Sequence, residues 1–232
     1  MRSLKRYFFI PHEGSKYRSG LYNGKKVLVL GASFYCPITN CTFYNACTYQ
    51  WRTKEFDETC PYNNGKPLSM LPFYELDEEG AKSYRIFYNF MQEYLSERGI
   101  TIIKDFYAFW DSVAFTNYIQ HEIGGRTTTQ ASDICEDDLL ALDDAIRELE
   151  PDIVIIWGCV VNNPIKLKRE DAEDKTFSND YDGSEHSQYL FRWYIDNRKV
   201  TFVNFYHPSS GHFQRKIERP KMKQFLDEAF SD

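Results

Sequence analysis

The sequence contains no long uninterrupted hydrophobic run, which argues against a membrane-spanning helix. No stretch approaches the roughly 18 apolar residues that such a helix requires. The segment MRSLKRYFFIPHEGSK at the amino terminus has a four-residue apolar core, well short of the apolar region of a secretory leader, which is about 7–15 residues long. We therefore expect a cytoplasmic protein that has no membrane partner.

Positive charge is also in short supply. Lys and Arg total 28 against 34 Asp and Glu, which gives a formal net charge of -6. This balance argues against a protein that coats nucleic acid indiscriminately. Basic residues nevertheless concentrate within 1–26 and 213–223. If these two ends meet at one edge of the fold, they could neutralise a few DNA phosphates; the alternative is ordinary solvated surface charge.

Paired C-x2-C motifs are missing, although the chain has six cysteines. Four of them, Cys36, Cys41, Cys47 and Cys60, follow a C-x4-C-x5-C-x12-C spacing inside an irregular insertion at about 36–70. Because no export signal is present, these cysteines are expected as thiols or metal ligands rather than disulfides. Two alternatives stay open: reduced structural thiols, or ligands for zinc or an iron–sulfur cluster. The expected chemistry requires no cofactor.

Apolar runs predict the strands of an α/β fold. The three runs are centred on Val27–Leu30, Ile153–Trp157 and Val200–Phe205. The second is apolar without alternation, as is typical of a parallel strand covered on both faces. At 232 residues and 42% hydrophobic content, residues 1–232 are expected to form a single domain with a substantial core.

Helical periodicity marks the segments between these strands. It predicts one helix that starts near Asp77 and ends before Gly99, another over Asp137–Leu149, and a last one that starts at Pro220. The polar segment Lys166–His186 is interpreted as a mobile loop. Gln188–Asp196 is interpreted as a short aromatic element.

Polar and flexible residues follow each apolar strand. The run that ends at Gly31 leads into ASFYC, the run that ends at Gly158 leads into CVVNN, and the last run leads into YHPSSG at Tyr206–Gly211. In an open α/β sheet, ligands bind at the carboxyl edge of the strands. The sequence therefore predicts a ligand site where these three strand ends meet.

The motifs LGASFYC, FTNYIQ, PDIVIIWG and YHPSSG, taken in order, resemble those of the uracil-DNA glycosylase superfamily. The resemblance covers about residues 26–212. It implies a three-layer α/β/α fold with a short, mainly parallel four-stranded central sheet. It also implies a monomer that binds DNA and hydrolyses the N-glycosidic bond of a flipped-out uracil or modified base, as in base-excision DNA repair.

The resemblance assigns chemical roles to individual residues. His207, in the position of the histidine of the family's His-Pro-Ser motif, would donate a hydrogen bond to the departing base. Asn117 would read the Watson–Crick edge of that base with its acceptor and its donor pair. The other candidate substrate-binding residues are Gly31, Ala32, Phe34, Tyr35 and Phe43 around the base, and Ser209 and Ser210 at a flanking phosphate.

The first motif departs from the family at the position that orients the attacking water. Branches of the family carry Asp, Asn or Glu there, whereas this chain has Ala32 and Ser33. Ser33, the second candidate catalytic residue, can hold a water molecule but cannot act as a base. Three alternatives follow: hydrolysis through a nearly dissociated sugar cation, a water held elsewhere with Asp111 as candidate, or a nucleic-acid or nucleotide binder of the same fold without catalysis.

A serine hydrolase is a further alternative. Ser33, Asp111 and His207 occur in the chain order of α/β hydrolases. The nucleophile elbow of that class needs glycine two residues after the serine, where this chain has Tyr35. The sequence therefore favours a DNA glycosylase-like enzyme over a serine hydrolase.

Overall fold

A seven-stranded sheet organises the protein. The structure, a computed structural model, describes residues 10–21, 24–35, 87, 90–92, 94, 106–124, 128–158, 160–161, 165, 173–177, 188–210, 223–224 and 226–231. The strands within these ranges are β1 (His12–Glu13), β2 (Val27–Gly31), β3 (Phe34–Tyr35), β4 (Ala114–Asn117), β5 (Glu122–Ile123), β6 (Ile153–Trp157), β7 (Glu173–Phe177), β8 (Gln188–Ile195) and β9 (Arg198–Phe205). The helices that lie entirely within these ranges are α1 (Phe106–Trp110) and α2 (Glu136–Leu149), with 3-10 turns at Tyr17–Ser19 and Ala131–Asp133.

The strands of the main sheet run in the order β1-β4-β2-β6-β9-β8-β7. Strands β4, β2, β6 and β9 pair in parallel, whereas β1, β8 and β7 pair antiparallel at the two edges. The parallel strands therefore place their carboxyl ends along one edge of the sheet. Strands β3 and β5 form a separate parallel pair beyond the ends of β2 and β4.

The mixed α/β class is confirmed, but the predicted strand count of four is wrong. The antiparallel edge strands account for the difference. Strand β7 lies within the segment Lys166–His186 that was expected to be a loop, and the aromatic element after it is the eight-residue strand β8. Strands β8 and β9 form a hairpin through Asp196 and Asn197, whose φ angles of 50° and 65° suit a two-residue turn of type I′.

Two hydrophobic clusters lie on opposite faces of the sheet, because successive side chains of a strand alternate between its faces. Val27 and Val29 join one cluster, with helical residues between 87 and 94 and within 226–230. Leu28 and Leu30 join the other, which contains the apolar side of α2. This burial on both faces explains the near-continuous apolar sequence of the central strands.

Helix α2 fixes the segment that follows β4. The helix begins one residue before the predicted Asp137, with Cys135 as its N-cap. The fully buried Asp138 accepts the backbone N–H of Cys135 at 2.9 Å and that of Gln120 at 3.1 Å. One carboxylate thus closes the start of the helix and anchors the backbone three residues after Asn117.

Several predictions fall on parts of the chain outside the described residues. They include the metal site at Cys36, Cys41, Cys47 and Cys60, and Phe43. The basic residues before residue 10 and at 213–222 also lie outside. Among the residues that the structure describes, no group of three or more His, Cys, Asp or Glu could hold a metal ion. No helix in the described ranges has the length and apolar character needed to cross a membrane.

Candidate active site

A cavity of about 540 Å³ lies at the carboxyl edge of the parallel strands. All four parallel strands, or the residues that directly follow them, contribute to its wall. The described lining residues are Gly31, Ala32, Ser33, Phe34, Tyr35, Phe87, Phe115, Asn117, Thr128, Thr129, Trp157, Gly158, Val160, His207 and Ser209. The strand ends predicted to form a ligand site therefore surround one cavity.

Most of the candidate site residues lie in this wall. They are Gly31, Ala32, Ser33, Phe34, Tyr35, Asn117, His207 and Ser209. Ser210 is outside the lining set, and its backbone N–H donates to the carbonyl of His207 at 2.7 Å. Asp111 is also outside the lining set. It lies before the start of β4, whereas Asn117 lies at the end of that strand, next to the cavity.

The turn after β9 fixes the protonation of His207. The backbone N–H of Ser209 donates to Nδ1 of His207 at 3.2 Å, and the Ser209 hydroxyl lies 2.7 Å from the same nitrogen. Burial lowers the pKa of His207 from 6.5 to about 4. The imidazole is therefore neutral at physiological pH, and because Nδ1 acts as an acceptor, the ring proton resides on Nε2.

Asn117 lines the cavity and has a buried amide nitrogen, Nδ2, without a hydrogen-bond partner among the described residues. Its side chain is 3% exposed. Its backbone carbonyl accepts the Nε2–H of Gln120 at 2.6 Å, which holds the chain just after the strand. A buried donor without a partner costs about 1–3 kcal/mol, and a hydrogen bond to a bound ligand would offset that cost.

Gly31 makes room for that amide. A Cβ at this position would lie 2.2 Å from Oδ1 of Asn117 and 3.0 Å from Cζ of Phe115. The two strand ends are also tied together, since the backbone N–H of Tyr118 donates to the carbonyl of Gly31 at 2.9 Å. Glycine at the end of β2 therefore sets where the Asn117 side chain can lie.

Three hydroxyls form a cluster at another part of the wall. Oγ1 of Thr129 lies 2.7 Å from Oγ of Ser33 and 3.0 Å from the hydroxyl of Tyr35. We refer to Ser33, Thr129 and Tyr35 as the hydroxyl cluster. Thr129 was not identified from the sequence, because it lies in an irregular segment more than ninety positions from both partners.

Aromatic rings form an apolar part of the wall. The ring centroids of Phe87, Phe115 and Trp157 lie 5.1–5.5 Å from one another. The ring centroids of Trp157 and His207 lie 5.9 Å apart, and the two rings are nearly perpendicular. The three residues belong to the hydrophobic core cluster that contains Val27 and Val29. The sequence placed Phe87 in a predicted helix and Trp157 in a predicted strand, and did not indicate that they meet at the cavity.

The geometry does not support a serine-hydrolase relay. In such a relay an aspartate accepts the Nδ1–H of the histidine, but Nδ1 of His207 is engaged by Ser209. Asp111 lies at the opposite end of β4 from Asn117. The hydrogen-bond partner of the Ser33 hydroxyl is Thr129.

No protein-family model and no curated protein matches this chain. The functional assignment therefore depends on the cavity's geometry and chemistry.

Proposed function

We propose that the protein is a DNA glycosylase-like enzyme that hydrolyses the N-glycosidic bond of a uracil or modified base flipped out of DNA. One observation carries the proposal. The neutral His207, which has its proton on Nε2, lines the same aromatic cavity as the unpaired amide of Asn117. A donor for a developing oxyanion and a donor–acceptor pair for a base edge are the two functions that this reaction needs.

The bond that breaks joins C1′ of the sugar to a ring nitrogen of the base. Its electron pair leaves with the base, so negative charge develops on a base oxygen while the sugar becomes cationic. The Nε2–H of His207 can stabilise that oxygen. Water then adds to C1′, and the proton that it loses neutralises the departed base anion, so the products are the free base and an abasic site.

Activation of the water needs little basic assistance in this scheme. None of the described lining residues is Asp or Glu. A nearly dissociated sugar cation reacts readily with neutral water, and the Ser33 hydroxyl, which lines the cavity, can orient that water. The absence of a carboxylate from the described lining is therefore compatible with hydrolysis through a dissociative transition state.

Recognition of the extruded base would combine shape and hydrogen bonding. Phe115 and Trp157 offer apolar surface to a flat ring, and Asn117 can bond to its polar edge. Ser209 and Ser210 would contact a flanking phosphate. We further propose that the protein has the three-layer α/β/α arrangement of the uracil-DNA glycosylase superfamily and acts as a monomer in the cytoplasm.

A glycosylase assay tests this function. Oligonucleotides that contain uracil, hypoxanthine or modified cytosines would be incubated with the protein, and abasic sites would be revealed by alkaline cleavage. We expect abasic product from at least one base, and a rate lower by roughly 100- to 1,000-fold for His207→Ala, as for the loss of one oxyanion donor. Absence of product from every base, with folded protein, would contradict the proposal.

A non-catalytic nucleic-acid binder is the second candidate, and the lack of a carboxylate among the described lining residues favours it. Measurements of DNA binding and of turnover distinguish the enzyme from the binder. The enzyme should retain DNA affinity in His207→Ala while it loses turnover. If the protein is only a binder, the wild type should bind the same oligonucleotides without releasing any base. The His207→Ala variant should then lose little affinity.

A further inference from the structure

A fully buried amide ties the end of β6 to β9. Asn204 lies in β9 opposite Ile156 of β6, and its side chain has no exposure to solvent. Its Nδ2 donates to the carbonyl of Gly158 at 2.9 Å and to that of Ile156 at 3.3 Å. A buried amide is costly unless it is hydrogen-bonded, so the place of its partners shows which part of the chain it stabilises. Those partners are the residues on either side of Trp157.

Gly158 is held through both of its backbone groups. Its N–H donates to the carbonyl of Phe205 at 2.7 Å, and its carbonyl accepts the Asn204 amide. The φ angle of Gly158 is 88°, in the left-handed region that glycine adopts readily. Strand β9 therefore fixes the direction in which the chain leaves β6.

His207 packs against this end of β6. A Cβ at Gly158 would lie 3.4 Å from Cβ of His207, so the glycine backbone lies close to the histidine side chain. The ring of Trp157 is nearly perpendicular to the imidazole, at 5.9 Å between centroids, and also packs against Phe87 and Phe115. The end of β6 therefore forms a wall beside the imidazole.

This wall has an electrostatic consequence. Burial lowers the pKa of His207 to about 4, because removal from water disfavours the charged form of an imidazole. Trp157 and Gly158 contribute to that burial through their contacts with His207. If the end of β6 moved away from β9, water would reach the ring and His207 would bind a proton more readily.

We propose that Asn204 is a positioning residue for His207, because it holds the end of β6 so that Trp157 covers the imidazole. Asn204 is not among the described residues that line the cavity. It therefore acts through the backbone of β6 and takes no part in bond cleavage. The catalytic consequence of this inference rests on the proposed glycosylase function, whereas the effect on the surroundings of His207 does not.

NMR titration of the His207 ring in two variants tests the inference. The chain has five histidines, and the spectrum of His207→Gln identifies the resonance that belongs to His207. Asn204→Ala removes the amide and its volume, whereas Asn204→Leu removes the amide and keeps a side chain of similar size. We expect the midpoint to rise from near 4 by about one pH unit or more in both variants, since water then reaches the ring. An unchanged midpoint in folded Asn204→Leu, whatever Asn204→Ala shows, would overturn the proposal.

Ile153→Ala separates this effect from a general loss of stability. Ile153 is buried at the opposite end of β6 from Trp157, and its truncation leaves a cavity in the core. The control should therefore lower the melting temperature while the His207 midpoint stays near 4. An equal rise of the midpoint in Ile153→Ala would show that destabilisation alone hydrates the ring, which would overturn the proposal. Circular dichroism identifies a variant that does not fold, and the other Asn204 variant then decides.

A double variant tests whether the effect passes through Trp157. The indole Nε1 of Trp157 has no hydrogen-bond partner among the described residues, so Trp157→Phe removes ring surface without breaking a described hydrogen bond. This variant should raise the His207 midpoint by itself. Because Asn204 acts through the same ring, Asn204→Leu should raise the midpoint less in the Trp157→Phe background than in the wild type. Fully additive rises would overturn the proposed route.

Turnover connects the inference with the proposed function. The His207 donor acts on charge that develops in the transition state, so its displacement in Asn204→Leu should lower kcat for base release by about tenfold and leave KM unchanged. An unchanged kcat would overturn the positioning role. If the wild type releases no base, the glycosylase proposal fails, whereas the titration still decides whether Asn204 positions His207.

Discussion

Nδ1 of His207 accepts the backbone N–H of Ser209 at 3.2 Å, and the Ser209 hydroxyl lies 2.7 Å from the same nitrogen. This pair of contacts places the ring proton of His207 on Nε2. The contact is local, since the two residues are separated only by Pro208, whose ring restricts the turn. A short HPS sequence after a strand therefore encodes both the place and the tautomer of the donor.

The Ser209→Ala substitution tests how much the hydroxyl contributes. The backbone N–H would still occupy Nδ1, so the tautomer should persist while the ring becomes less firmly oriented. We expect kcat to fall by about 3- to 10-fold, as for the loss of one hydrogen bond, in single-turnover assays. Ser231→Ala, on an exposed residue of the carboxyl-terminal helix, is the control and should match the wild type. A rate equal to that of the wild type in Ser209→Ala would exclude an orienting role.

The lowered pKa of His207 predicts how stability depends on pH. Burial lowers this pKa from 6.5 to about 4 in the folded protein. The unfolded chain therefore binds more protons between these values, so stability rises with pH across that window and is fully developed above 6.5. At 1.36 kcal/mol per pKa unit, the change amounts to at most about 3 kcal/mol.

Urea unfolding of the wild type and of His207→Gln from pH 4 to 7 measures this effect, because glutamine does not titrate. The free energy of unfolding of the wild type should rise relative to the variant by up to that amount as the pH increases. NMR titration of the His207 ring should give a midpoint near 4. A midpoint near 6.5 would show that the ring is solvated and is not the neutral donor proposed.

Uniformly apolar strands made the centre of the sheet predictable from the sequence. Strands β2 and β6 are buried at every residue, so their apolar runs could be recognised without any partner. Strands at the edge of a sheet need not be apolar at every residue, because one edge of the strand has no neighbouring strand and is open to solvent. Strand β7, with the sequence EDKTF, therefore had the appearance of a loop.

The site was predictable only where its residues adjoin such strands. Gly31 and His207 follow buried apolar runs, so a pattern in the chain pointed to them. Thr129 lies 96 positions from Ser33. Phe87 lies in a helical segment that is far in sequence from both. No local periodicity connects these residues, since their proximity is a result of tertiary packing.

The Asn117→Ala substitution should separate stability from function. It removes a buried amide that has no partner for Nδ2, and that unpaired donor costs about 1–3 kcal/mol. This gain offsets much of the packing loss, so we expect the free energy of unfolding to change by less than about 1 kcal/mol. The rate of base release should fall by at least roughly tenfold, because the base loses its polar partner.

Asn204 provides the matched comparison. It is fully buried, and its Nδ2 lies 2.9 Å from the carbonyl of Gly158 and 3.3 Å from that of Ile156. Asn204→Ala leaves those carbonyls without their donor and should cost about 1–3 kcal/mol. If Asn117→Ala were as destabilising as Asn204→Ala in chemical denaturation, the Asn117 amide would have a structural partner and would not be reserved for a ligand.

The contact between Gly31 and Asn117 gives the last prediction. Gly31→Ala places a Cβ 2.2 Å from Oδ1 of Asn117, so the amide must move and the strand end must adjust. We expect a loss of about 1–3 kcal/mol in the free energy of unfolding, as for overpacking, together with loss of base release. The double variant Gly31→Ala/Asn117→Ala removes the clashing oxygen and should recover part of the stability without recovering activity. A double-mutant cycle should therefore give a coupling of about 0.5–3 kcal/mol between the two positions, and strictly additive effects would contradict the direct contact.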